Sequence, residues 1–287
     1  MKLKEFTMET IKDLLFTGER CLFKQKDTII NNCIFYNGES PLKESSNLEI
    51  INSSFFYKYP LWYSNDIKVI NCHFYKVGKS GIWYTNNISL KDTIIDAPKE
   101  FRKSNNISLE NVIFNDASET LWNCKDVKLK NIKAKGDYFL MNSKNIKINN
   151  LKLDGNYCFD GGNNIEISDS ILNSKDAFWN ANNVIIKNSI IKGEYFGWNS
   201  ENITLINCSV TSHQGFCYMN NIKLINCQLI DTDLSFEYSK NIDADIISNI
   251  IGVKNPISGI IKAPKINKLI LDPKETNKDL IRIITND

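Results

Sequence analysis

The chain has 287 residues, 42% of them apolar, with 35 Lys and Arg against 33 Asp and Glu and a formal net charge of +2. So even a balance leaves no electrostatic footprint for nucleic acid or for an anionic membrane surface. No segment approaches the roughly 18 apolar residues of a membrane span, and the opening Met1-Lys2-Leu3-Lys4-Glu5-Phe6 lacks the apolar run of a secretion signal. A cytoplasmic location without membrane contact is therefore expected.

Residues 1–17 precede any repeat and read as an N-terminal cap. From Gly18 to Ile242 the chain falls into rows of about 19 residues, and an internal period of that length means a solenoid. Rows open alike: Asn65-Asp66-Ile67-Lys68-Val69, Asn105-Asn106-Ile107-Ser108-Leu109 and Asn220-Asn221-Ile222-Lys223-Leu224. Inside a row the apolar period is two, as in strands, and a row is too short for a helix plus a strand with connections. The reading is all-β: a single parallel β-helix of about 12 coils with three short strands per coil. Beyond residue 242 the register degrades around Pro256, Pro264 and Pro273, so residues 243–287 read as irregular last coils and a C-terminal cap.

Three inward columns run down the rows, represented by Ile67, Ile88 and Ile107, by Phe55, Phe74 and Phe114, and by Leu61, Ile82, Leu121 and Phe178. No coil buries these faces alone; stacked coils bury them against one another. Corner columns of Asn and Asp, such as Asn71-Asp92-Asn111 and Asn87-Asn106-Asp126, suit the left-handed backbone of a sharp corner and can bond from coil to coil. Cys33, Cys72, Cys208 and Cys227 share one repeat position and read as small core side chains. Cys208 and Cys227 fall on adjacent coils and could be bridged under oxidation. No CxxC occurs and His73 lies far from His213, so neither a zinc site nor another cofactor is expected.

Segments such as Tyr59-Pro60-Leu61-Trp62-Tyr63, Gly81-Ile82-Trp83-Tyr84-Thr85, Glu119-Thr120-Leu121-Trp122-Asn123-Cys124 and Gly193-Glu194-Tyr195-Phe196-Gly197-Trp198-Asn199 resemble an uncharacterised bacterial family, a domain of unknown function placed among the pectin-lyase-like right-handed β-helices. The resemblance spans roughly residues 15–240. It implies the right-handed coil, which the period alone does not fix, and it brings no catalytic residues.

Beside the third inward column lies an outward one: Phe23, Lys43, Trp62, Trp83, Arg102, Trp122, Met141, Asp160, Trp179 and Trp198. All five tryptophans fall in it. Just before it in each coil come Glu39, Asp137, Lys175, Glu194 and His213, then Glu119, Tyr138, Tyr157, Asp176 and Tyr195. Aromatic rings beside carboxylates and lysines suit a carbohydrate, whose C–H faces stack on rings and whose hydroxyls need polar partners. Trp62, Trp83, Arg102, Trp122, Tyr138, Trp179, Glu194, Tyr195 and Trp198 are the candidate binding residues for an oligosaccharide. Coil spacing puts Glu119 and Asp137 roughly 5–7 Å apart, which straddles the separations for glycoside hydrolysis, and Asp160 with Asp176 is a second candidate catalytic pair. One member would be an acid with a raised pKa, the other nucleophile or base. An enzyme of this kind would be a polysaccharide or oligosaccharide hydrolase or lyase. The same column equally fits packing against the C-terminal tail, a homo-oligomeric partner or another protein, which would make the solenoid a non-enzymatic scaffold.

Overall fold

The structure, a computed structural model, describes residues 8–286; residues 1–7 of the expected N-terminal cap and residue 287 lie outside it. It is all-β, a parallel solenoid of about 15 turns. The turn count exceeds the expected dozen because strands also form outside residues 18–242. Glu9–Lys12 and Leu15–Thr17 pair with Lys26–Asn31 and Ile34–Asn37, and Gly259–Lys262 and Ile281–Ile284 continue the stack from Lys240–Ile246. The chain divides into two compact units, Met1–Lys133 and Ala134–Asp287.

In the first unit the long side of each coil is a strand such as Ser46–Ile51, Asn65–Ile70, Asn86–Lys91 or Asn105–Glu110. They pair parallel and in one register, Leu48 to Ile67 to Ile88 to Ile107 to Val127. The register holds because the side-chain period is two: a one-residue slip would turn every buried Ile and Leu outward. On the second side Phe16, Phe35, Phe55 and Phe74 stack with ring centroids 4.7–5.1 Å apart, and Phe55 and Phe74 are completely buried.

The second unit repeats the plan. Ile146, Ile165, Val184, Ile203, Ile222 and Ile242 face one another down the long side, and Leu153, Leu172, Ile191, Val210 and Leu229 down the second. Ile250–Lys254 and Ile266–Ile270 form a separate parallel pair.

The third side is built differently from the expected strand. In the coil carrying Trp122, Glu119, Leu121 and Asn123 all have φ between 53° and 60°; in the coil carrying Trp179, Asp176, Phe178 and Asn180 have φ between 52° and 62°. Every second residue is thus left-handed, a conformation no β-strand contains. These segments are turns, stitched between coils by bonds such as Asn180 N–H to Trp198 O and Gly161 N–H to Trp179 O. Among the described residues only isolated bridges, joining Trp83, Arg102 and Trp122 and joining Ser235 to Val253, are strand-like there. Each coil is therefore two strands and a turn side, and the turn side carries the tryptophans.

Candidate functional site

In the first unit Trp62, Trp83, Arg102 and Trp122 stand half-buried on the turn side, beside the fully buried Leu61, Ile82, Phe101 and Leu121. The rings of Trp62 and Trp83 are stacked at 5.3 Å and 9°. The Arg102 guanidinium lies 4.6 Å from the centroids of both Trp83 and Trp122, a cation–π sandwich. The ring faces are thus turned on one another and on Arg102, and it is ring edges that reach the surface. The indole N–H groups are also committed: Trp62 donates to Ser80 O and Trp83 to Lys99 O. Arg102 Nη2 donates to Glu119 Oε2 at 3.0 Å, and Lys99 Nζ holds Glu119 Oε1 at 3.2 Å. Both oxygens of Glu119 are taken by cations, an arrangement that fixes Arg102 between its rings.

Beneath this patch lies Glu100, with no exposed surface. Its carboxyl accepts the Gly81 N–H at both oxygens, 2.9 and 3.0 Å away. Burial holds its pKa well above the usual carboxylate range, against the lowering effect of bonds from the Gly81 and Ile82 backbone. A Cβ on residue 81 would stand 2.6 Å from Glu100 Oε2, so glycine there is a consequence of the buried acid. The sequence signal for it is slight: a lone Glu in a column whose neighbours are Gly81 and Thr120.

In the second unit the predicted residues separate into a ladder and a cluster. Asp137 accepts the Asn156 N–H at 2.7 Å, and the rings of Tyr138 and Tyr157 stack at 4.8 Å. Asp160 accepts Asn180 Nδ2 at 3.2 Å, and Asn180 Oδ1 in turn accepts from Asn199. Asp137 and Asp160 are thereby tied into corner chemistry.

Trp179 and Trp198 stack at 5.8 Å and 10°, with their N–H groups on Tyr195 O and Gln214 O. Tyr195 meets Trp198 edge-on at 5.4 Å. Next to them run an ion pair, Lys175 Nζ to Glu194 Oε2 at 3.1 Å, and a hydrogen-bonded pair, His213 Nδ1 and Asp233 Oδ1 at 2.6 Å. Asp176 sits among these with 4% of its surface exposed, and no protein group bonds its carboxyl among the described residues. Burial raises its pKa and Glu194 raises it further, while Lys175 pulls the other way. The sequence listed Asp176, Glu194, Tyr195, Trp179 and Trp198 as candidates but did not single out His213 and Asp233, which lie twenty residues apart and meet only through the stacking.

The C-terminal segment does not lie over these tryptophans. It continues as further coils, Tyr238 N–H bonding Asn255 O and Asn255 N–H bonding Ile270 O, and Trp179 and Trp198 remain half-exposed. Two shallow depressions, of ≈ 270 Å³ beside Asn47, Glu49 and Lys68 and ≈ 410 Å³ beside Asp245, Lys262 and Asn286, are lined by no residue of either patch. Among the described residues no group of three or more His, Cys, Asp or Glu is placed to hold a metal ion, and no helix is long and apolar enough to cross a membrane.

Several solved structures share the chain trace at low score. The A-module of the mannuronan C-5 epimerase AlgE4 of Azotobacter vinelandii has a TM-score of 0.32 and 10% identity, covering 96% of this chain and 88% of its own. The surface adhesin PfbA of Streptococcus pneumoniae has a TM-score of 0.32 and 8% identity, covering 92% and 80%. The catalytic domain of a GH87 alpha-1,3-glucanase has a TM-score of 0.32 and 9% identity, covering 98% and 64%. At such scores the similarity carries no functional weight. No curated protein sequence matches the chain. The family match is of another order, running from residue 9 to residue 284 with the stacked strands and turn sides inside it: the chain belongs to the family described as a protein of unknown function (DUF3737).

Proposed function

We propose that the turn side of the second unit binds an oligosaccharide. The observation that supports this best is the juxtaposition of the half-exposed Trp179 and Trp198 with Lys175, Glu194 and the unbonded carboxyl of Asp176. Because the indole N–H groups are already bonded to backbone, the tryptophans offer apolar edge surface only. Hydrogen bonds to sugar hydroxyls fall to Glu194, Lys175, Asn180 and Asn199, which are exposed. The coil spacing of about 4.8 Å is close to the length of one pyranose unit, so a chain laid along the stack meets a similar set of groups at each turn.

A second reading has its own support. Ring faces turned on one another, as in Trp62–Trp83 and Trp179–Trp198, leave little flat surface for sugar stacking, and such edges also suit a protein interface or a second copy of the chain. Tryptophan fluorescence during titration with neutral and acidic oligosaccharides, paired with sedimentation, separates the two. The carbohydrate reading expects a saturable change that Trp198→Ala removes with the circular dichroism spectrum kept. A concentration-dependent dimer that Trp198→Ala dissociates, with no response to any glycan, would replace it with the interface reading.

A further inference from the structure

Parallel stacking hides ring faces on the turn side, but the stack changes past Trp198. Trp179 and Trp198 lie at 10°, and in the first unit Tyr63 and Tyr84 lie at 8°, so each ring covers a face of its neighbour. Tyr218, on the coil after Trp198, is tilted 58° from it at 5.3 Å, and Tyr238 is tilted 43° from Tyr218 at 5.3 Å. Tilted rings open a wedge instead of closing a pair, and Tyr218 keeps 47% of its surface exposed. Part of an aromatic face is therefore free here for the C–H face of a sugar, where the tryptophans offer only edges. The asparagine ladder also ends at this point. The column that holds Tyr218 carries Asn180 and Asn199 in the two preceding coils, all three with φ between 52° and 58°. Asn199 donates to Asn180 Oδ1, but with a tyrosine at 218 no amide among the described residues donates to Asn199 Oδ1, and Asn199 is exposed. An aromatic face and an open carbonyl acceptor thus stand on neighbouring coils.

Resting on the carbohydrate reading above, we propose that the ligand is a neutral oligosaccharide, one of whose sugar rings stacks on Tyr218 between Trp198 and Tyr238. The aromatic face supplies the stacking surface, and Asn199 Oδ1 accepts from a hydroxyl of the adjoining sugar. The neutral class follows from charge. Across residues 174–181, 193–200, 212–219 and 231–239 the basic side chains are Lys175 and His213, and each faces a carboxylate, Glu194 at 3.1 Å and Asp233 at 2.6 Å. On the coil after Tyr238, Lys254 is held by Glu237 at 2.7 Å, with the side chain of the acid only 9% exposed. A uronate carboxylate or a sulfate laid along this track would meet several acids and no uncommitted cation, and an unpaired charge against apolar surface is costly.

The test is titration calorimetry of the full chain with xylohexaose, cellohexaose, laminarihexaose and a galacturonate hexamer. Tyr218 has φ 58°, a conformation Asn adopts readily, and Tyr218→Asn installs the residue its column already carries at 180 and 199, so the fold is kept. Tyr218→Phe keeps the ring and removes only the hydroxyl. The proposal expects a neutral hexamer to bind saturably and the galacturonate hexamer not to bind. It expects Tyr218→Asn to weaken the neutral hexamer by about tenfold or more, and Tyr218→Phe to stay within about threefold. Galacturonate binding as tight as that of any neutral hexamer, or Tyr218→Asn binding at the unmodified affinity, overturns this proposal and leaves the binding reading standing. No binding by any hexamer overturns both.

Discussion

Glu100 is a residue whose chemistry is far from its ordinary state. Among the described residues its carboxyl meets no cation, only the Gly81 and Ile82 backbone; it has no exposed surface, and burial raises its pKa well above the 4.5 of a free glutamate. A carboxyl raised in the folded state holds its proton there while the unfolded chain has released it. Stability from this group is therefore greatest below about pH 4.5 and falls as pH climbs toward the folded value. Glu100→Gln should flatten that slope. Urea midpoints between pH 5 and 7.5 check this: the difference between Glu100→Gln and the natural chain should move in favour of the variant as pH rises, and a constant difference would show that Glu100 does not titrate with folding. Asp96 behaves in the opposite sense. Burial, its largest influence, would raise its pKa, but bonds from Asn115 and His73 outweigh burial and lower it. Its contribution is present above the unfolded value and is lost as pH falls through the folded one.

At the scale of the element, the Asn corners are the clearest case of sequence dictating structure. Asn207 has φ 53°, donates to Asn188 Oδ1 at 3.2 Å and accepts from Asn226 at 2.8 Å. Asn207→Ala loses both bonds and forces alanine into a left-handed conformation, so it should cost about 1–3 kcal/mol. Asn207→Gly loses the bonds but tolerates the backbone and should cost less. Urea midpoints give the order, and a glycine variant less stable than the alanine one would contradict it. These columns were legible because Asn and Asp recur at fixed spacing and have a local reason to do so. The turn side was legible only in part. Alternation of residues with and without a positive φ places side chains alternately in and out, just as a strand does, so Leu121 buried beside Trp122 half-exposed reads the same from either backbone. Leucine, phenylalanine and tyrosine at φ near 60° give no warning, since stacking imposes that conformation on them. The tryptophan column was likewise visible, but the turning of ring faces onto one another was not, because a column fixes which side chains are neighbours and leaves their orientation open.

Across the molecule, all eight cysteines are free thiols, and the pair on adjacent coils is not bridged: the sulfurs of Cys208 and Cys227 donate instead to Ile186 O and Leu205 O. Seven of the eight are buried and only Cys21 is partly exposed; burial pushes Cys158 up to about 12. A colourimetric thiol reagent at pH 8 should therefore modify one group quickly in the folded chain and all eight in denaturant. Several fast thiols in the folded state would mean that the packed columns open. The charged surface supports the same picture of stability from stacking: pairs such as Lys68–Glu49 and Lys130–Glu110 are largely exposed and stabilise little. On the binding reading proposed above, what the solenoid does beyond standing depends on the turn side of the second unit. Hydrogen–deuterium exchange with and without a bound oligosaccharide locates the ligand most directly. Slowed exchange confined to residues 175–180, 194–199 and 213–218 is the expected result, and protection absent there or centred on another side would contradict it.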